Sequence, residues 1–228
     1  MRIINNILKV TLAIALAACG GKEQQTDKLP AEADSVQMGA ERVDANGNVT
    51  YRPDTMHVYY TGEIDLEKTF IVISKKQLQL RVYTVLAGGD TTLVARYPVC
   101  LSRNKGPKER SGDMRTPESK PGEPFHIKQI QDASDWTHDF GDGRGEILSY
   151  GHWFMRLETP FSGIGIHGST NNEEKMPGRD SEGCIRLRDS DLDHLHDNYA
   201  HVGMPVIIKA ESQGDLPFEA KALKSESK

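Results

Sequence analysis

A chain of 228 residues has room for one globular domain of about 150 residues plus tails, and does not call for a second domain. A hydrophobic fraction of 37% is low for an enzyme, and the Lys, Glu, Ser and Gln-rich ends account for it. A net charge of −5 without any Lys/Arg run speaks against nucleic acid as a partner, and three cysteines without a CxxC spacing or a Cys/His cluster speak against a structural zinc site.

At the N-terminus, Arg2 and Lys9 precede the apolar stretch Val10 to Ala18, which is shorter than the roughly 20 residues of a bilayer-spanning helix. Residues 1–18 therefore read as a secretory signal. Leu16-Ala17-Ala18-Cys19 resembles a bacterial lipobox, which implies lipidation of Cys19 and a mature chain beginning there. Residues 19–56 lack helical and strand periodicity and are expected to be a disordered tether. As a flexible coil it would span about 30–36 Å on average.

Strand-like runs begin at Thr69–Ser74 and Gln79–Val85, which the polar break Lys75-Lys76-Gln77 separates as in a hairpin. Further β-rich pieces are expected at 92–101, 125–130, 163–167 and 204–209. The long connections 102–124 and 132–150 exceed the usual four to six or so residues and suggest functional rims. Leu192, Leu195 and Tyr199 recur at helical spacing, with Asp189 or Ser190 as a cap and Gly203 as a stop. Asp191, Asp193, His194 and His196 are expected on that helix's solvated face. After Glu211 the chain turns charged and polar, and 211–228 is expected to be a disordered tail.

The chemistry concentrates in Ile164-Gly165-Ile166-His167-Gly168-Ser169 and Ser181-Glu182-Gly183-Cys184-Ile185-Arg186-Leu187. A glycine before a nucleophile permits a tight turn, and the N–H groups of Gly183, Cys184 and Gly168 are candidates for holding an oxyanion. His167 is expected to take the proton of Cys184 and keep the thiolate as an ion pair. Taken alone, the residues leave open a core histidine and an inert thiol, because such pairs are recognised in space.

These two segments closely resemble the signature of the L,D-transpeptidase catalytic domain (YkuD) family, in which I-H-G is followed by S-x-G-C-[IV]-R. Tyr97-Pro98-Val99, Arg115-Thr116-Pro117, Phe125-His126-Ile127 and Gly203-Met204-Pro205-Val206 extend the resemblance over about residues 66–210. Three departures stand out. Glu182 occupies a place where many members have histidine, extra residues Glu118 to Pro121 interrupt the T-P element, and Asp132 to Gly145 is unusually long and is read as a lid or a disordered excursion.

The resemblance implies a mainly β fold, a curled β-sandwich with one C-terminal flanking helix. It also implies a cysteine acyltransferase acting on peptidoglycan stem peptides without metal or cofactor, with Arg186 binding a carboxylate or bracing the cysteine loop. Alternatives are an L,D-carboxypeptidase or amidase with the same site, and a catalytically idle wall-binding lipoprotein. Ser181 is expected to orient the turn, Glu182 to face solvent or the acceptor cleft, and His152 and Trp153 to line the substrate groove. Cys100 is expected to be a buried core thiol, and His57, His126 and His138 have no partner identifiable in the sequence. The expected setting is the cell envelope on the periplasmic side, as a monomer held to a membrane through Cys19.

Overall fold

The computed structural model describes residues 42–43, 49–50 and 56–225, all within the compact unit Asp34–Lys228. The expected signal, Cys19 and most of the expected tether lie outside the described residues. The strands are β1 Arg42–Val43, β2 Val49–Thr50, β3 His57–Val58, β4 Thr69–Ser74, β5 Gln79–Val85, β6 Thr91–Pro98, β7 Cys100–Ser102 and β8 Phe125–Asp132. They continue with β9 Thr137–Asp139, β10 Glu146–Leu148, β11 Trp153–Leu157, β12 Gly165–His167, β13 Gly178–Ser181, β14 Ile185–Arg186 and β15 Pro205–Lys209. The helices are α1 Asp189–Asn198 and α2 Pro217–Ser225.

Eleven strands form one mixed sheet in the order β13-β7-β14-β12-β11-β8-β15-β4-β5-β6-β3. The expected hairpin is the antiparallel pair β4–β5, in register from Thr69↔Thr84 to Ser74↔Gln79. Because side chains alternate along a strand, Ile71, Ile73, Leu80 and Val82 fall on one face. They join Ile166 and Ile185, from the other half of the sheet, in a single buried cluster. Strands far apart in the sheet order share that core because a twisted sheet of this width curls upon itself. Leu192, Leu195 and Tyr199 of the expected helix close the same core.

The run expected as one strand over 92–101 is two strands at opposite ends of the sheet order. Pro98 has no N–H to extend the ladder, and after Val99 the chain leaves β5 to pair as β7 with β13 and β14. This crossing carries Cys100 to the site. The segment 132–145, read as a lid or a disordered excursion, holds β9, which pairs with β10 as an antiparallel hairpin with Ile147↔His138. Within the expected tether, β-branched Val43, Val49 and Thr50 take part in the short antiparallel pair β1–β2, and β3 adds an edge strand before residue 66.

The tail expected to be disordered carries α2. Phe218 sets its ring edge-on to Phe70 at 5.3 Å and to Tyr83 at 5.4 Å, and Ala222, one turn on, packs in the cluster formed by Val72, Tyr83 and Leu93. Glu219 is fully buried and accepts from Lys209 Nζ at 2.6 Å and Arg81 Nη1 at 3.0 Å. A carboxylate so placed stays charged only because both cations meet it, and removing either would leave an uncompensated buried charge. In the sequence Arg81 lies 138 residues upstream and Lys209 stands in the preceding strand, so the segment by itself reads as polar chain.

Candidate active site

Register decides which residues share the site. On β12 and β14, which run parallel, His167 pairs with Arg186 and Ile166 with Ile185. Cys184 precedes Arg186 by two residues, so the same register continued sets it level with Gly165 on the face that carries His167 and Arg186. Antiparallel β11 sets Phe154 opposite His167 and Arg156 opposite Gly165, and β7 sets Cys100 opposite Arg186. Ile166, Ile185 and Met155 point the other way, into the core, each with no solvent exposure. One face of three adjacent strands is core and the other is chemistry.

The cysteine turn is tied by Ser181. Its hydroxyl donates to the Cys184 carbonyl at 2.6 Å and accepts from the Gly183 N–H at 3.2 Å. Gly183 has φ +147°, and a Cβ there would stand 2.9 Å from the Arg115 carbonyl oxygen, so only glycine fits without displacing backbone. The same bond corrects the expected oxyanion donors. The Gly183 N–H is already engaged, and the Gly168 N–H donates to the Tyr150 carbonyl at 2.6 Å. Of the three, the Cys184 N–H alone has no acceptor among the described residues.

His167 is buried, and its Nδ1 lies 2.8 Å from the Gly168 carbonyl. A carbonyl only accepts, so Nδ1 carries the proton and Nε2 keeps its lone pair. Burial, then the Arg186 guanidinium and His138, lower its pKa to about 3 against the pull of the Gly168 carbonyl. Burial pushes the Cys184 thiol up to about 11, opposed by the Gly165 amide and by Arg186, Lys108 and Arg156. Burial thus favours a neutral thiol and a neutral imidazole at rest and weighs against the expected thiolate–imidazolium pair, with the cations around the site acting in the other direction on the thiol. The thiol donates to the Gly163 carbonyl at 3.2 Å, and among the described residues no hydrogen bond joins it to His167.

A cavity of about 360 Å³ opens over this face, lined by Cys184, His167, Arg186, Ser181, Glu182 and Gly183 among the expected residues. His152 and Trp153 are not on its wall. His152 is exposed and bonded through Nδ1 to Asp193 at 2.8 Å, while Trp153 stacks on His196 of α1 at 3.8 Å between ring centroids. Their neighbours Tyr150 and Phe154 do line it, Phe154 because β11 alternates and Trp153 shares the core-facing side with Met155. Tyr150 sets its ring 4.8 Å from that of His167, and its phenol pKa is raised by burial and then by Cys184 and Glu182. Recognising β11 in Trp153-Phe154-Met155-Arg156-Leu157 would have pointed to Phe154 and Arg156. No local pattern points to Tyr150.

The rims contribute as expected of long connections. Loop 102–124 supplies Lys108, Ser111 and Gly112, pinned by Asp113, which accepts from Lys108 Nζ at 2.7 Å and the Glu109 N–H at 2.8 Å. The β9–β10 hairpin and its flanks supply Trp136, His138 and Phe140. His138, without a partner in the sequence, faces Glu182 with Nε2 3.8 Å from its carboxylate, and its ring meets Phe140 at 4.6 Å. Glu182 is about half exposed. Arg186 is nearly buried, donating from Nη2 to Cys100 Sγ at 3.2 Å and lying 3.7 Å from Asp180. Cys100 and Cys184 are both free thiols, the former fully buried.

Helix α1 braces the other side. The N-cap is Arg188, without a side-chain bond to the helix; Asp189, expected as a cap, instead accepts from the Ser169 N–H at 2.7 Å and Thr170 Oγ1 at 2.6 Å. It thereby fixes the segment that follows His167. Asp191, expected on a solvated face, is buried, and burial raises its pKa to about 6. Among the described residues no group of three or more His, Cys, Asp and Glu side chains is placed to hold a metal ion.

The sequence matches the L,D-transpeptidase catalytic domain family, YkuD, over residues 68–208. The chain belongs to this family. Among solved structures it is similar to Bd1075 of Bdellovibrio bacteriovorus, at 17% identity and a TM-score of 0.45 over 70% of this chain and 55% of that one. The K307A mutant of the helical cell shape determining protein Pgp2 from Campylobacter jejuni shares 19% identity, with a TM-score of 0.45 over 72% and 53% of the two chains. An L,D-transpeptidase (residues 123–326) from Xylanimonas cellulosilytica shares 17%, with a TM-score of 0.40 over 69% and 64%. The chain thus spans from about half to just under two thirds of the length of these structures. No curated protein matches it.

Proposed function

We propose that the protein is an L,D-transpeptidase of the cell envelope, a cysteine acyltransferase that carries peptidoglycan stem peptides on Cys184. The observation that supports this best is the shared face of β12 and β14, where Cys184 and a buried histidine with a free Nε2 line one cavity. As Cys184 attacks a peptide carbonyl, its S–H proton passes to Nε2 of His167, and the thiol turns away from the Gly163 carbonyl to make that transfer. The C–N bond of the tetrahedral intermediate then breaks, and the same proton leaves with the departing amine. Acyl-Cys184 remains as a thioester, and an acceptor amine reverses the sequence.

The oxyanion falls to the Cys184 N–H. The Tyr150 hydroxyl, on the wall of the same cavity, is the second donor in this reading. Family resemblance supplies the substrate: a tetrapeptide stem cut between its third residue, a diamino acid, and terminal D-alanine. Cys19 is the proposed lipid anchor, holding the enzyme to a membrane outside the cytoplasm. This rests on the lipobox-like Leu16-Ala17-Ala18-Cys19, which lies outside the described residues. Among the described residues no helix is long and apolar enough to cross a membrane.

Incubation with purified tetrapeptide muropeptides, followed by mass spectrometry, tests the function. Cross-linked dimers are the expected product. Trimmed monomers would make the protein a carboxypeptidase, and unchanged substrate would leave a wall-binding protein. Replacing Cys19 by Ala tests the anchor, since membrane fractionation should then find the protein in the soluble fraction.

A further inference from the structure

Three cations line the cavity, and two are already engaged. Lys108 is paired with Asp113 at 2.7 Å, while Arg186 is committed to Cys100 and Asp180 and has almost no exposed surface. The third, Arg156, is half-buried on β11. Its Nε and Nη2 donate to the neutral amide oxygen of Gln131 at 3.2 and 3.0 Å, and its guanidinium lies 4.9 Å from the centre of the Phe154 ring. Both contacts fix its direction, and neither cancels its charge. Among the described residues no carboxylate comes within 4 Å of it, and its Nη1 has no acceptor.

We propose that Arg156 is the carboxylate anchor of the donor peptide, holding the terminal carboxylate of the departing residue beside the carbonyl that Cys184 attacks. The inference rests on the acyl-transfer reading above and adds to it the group that selects a free C-terminus. Register supplies the distance. Arg156 pairs with Gly165, and Cys184 continues level with Gly165 on the next strand. At about 4.8 Å per strand, the two Cα atoms are about 10 Å apart. One extended residue, about 3.5 Å, together with the length of an arginine side chain covers that gap.

The ground between them suits a small peptide residue. A side chain at Gly165 would collide with the Phe154 ring, 2.5 Å from its Cβ, so the aromatic face itself floors the space between the sulfur and the guanidinium. A planar guanidinium with free N–H groups binds a carboxylate through charge-assisted bonds, and in a cavity walled by Phe154, Tyr150 and Trp136 those bonds are little screened. The carboxylate-binding task expected of Arg186 therefore passes to Arg156, and Arg186 braces the cysteine strand against β7.

The test compares two donor peptides, one ending in a free carboxylate and one in a carboxamide, with the full-length wild type, Arg156→Gln and Arg156→Lys. Release of the terminal residue gives kcat/KM for each. The wild type should favour the acid by about 10- to 100-fold, as a charged hydrogen bond allows. In Arg156→Gln this ratio should fall towards one, and in Arg156→Lys it should lie between. Because the ratio is taken within each protein, a loss of folded enzyme cancels; should the Gln variant be insoluble, the Lys variant carries the comparison. A wild type that does not distinguish acid from amide, or variants that keep the wild-type ratio, would overturn the assignment of Arg156 alone. A wild type that releases neither residue would overturn it together with the acyl-transfer reading.

Discussion

The two faces of β11, β12 and β14 differ completely in chemistry although they are built from the same short stretches. Met155, Ile166 and Ile185 point inward with no exposure, while Phe154, His167 and Arg186 point outward, with Cys184 continuing their face into the turn. Alternation places each apolar residue next to a functional one, so the core clamps the backbone that aims the site. Mutations on the two faces should therefore fail in different ways: one through chemistry in a folded protein, the other through stability with chemistry intact.

The largest effect is expected from Cys184→Ser. It should lower activity by at least about 1,000-fold, since the hydroxyl is a far poorer nucleophile with this histidine. Circular dichroism and thermal melting should be unchanged; unfolding would place Cys184 in the core set. On the opposite face, Ile166→Ala should cost about 2–5 kcal/mol. Denaturant unfolding measures that loss, and the acylation rate per folded molecule should stay near that of the wild type.

The charge state of the pair separates the faces further. With the thiol pKa pushed up to about 11 and His167 lowered to about 3, Cys184 is protonated at neutral pH. Its alkylation by iodoacetamide should rise about tenfold per pH unit from pH 6 to 9, because the thiolate fraction does so below the pKa. A rate already flat from pH 6 would reveal a preformed ion pair.

The smallest effect belongs to the rim. Glu182 is half exposed and 3.8 Å from His138, so its charge is screened within about 8–10 Å. Glu182→Gln should lower transfer to an amine acceptor by a factor of about 2–5, less in high salt, and acylation of Cys184 less still. Single-turnover acylation and acceptor-dependent product formation, measured side by side, check this. Equal losses in the two steps would mean that the carboxylate acts on the nucleophile.

Local pattern was enough to mark β4 and β5, the helix face of Leu192, Leu195 and Tyr199, and the His167 and Cys184 segments, since periodicity and turn chemistry are written in neighbouring residues. Beyond the β4–β5 hairpin it carried no information on partners. The run 92–101 is uniformly β-rich, yet its two halves pair at opposite ends of the sheet, because strand pairing is a long-range choice made by the whole core. The tail reads as solvated chain until Arg81 and Lys209 meet Glu219, an arrangement that exists only once the sheet has formed. The resting protonation of Cys184 and His167 was decided in the same way. Residue types suggest an ion pair, but burial is a property of the folded molecule, and here it outweighs the charges that would stabilise that pair.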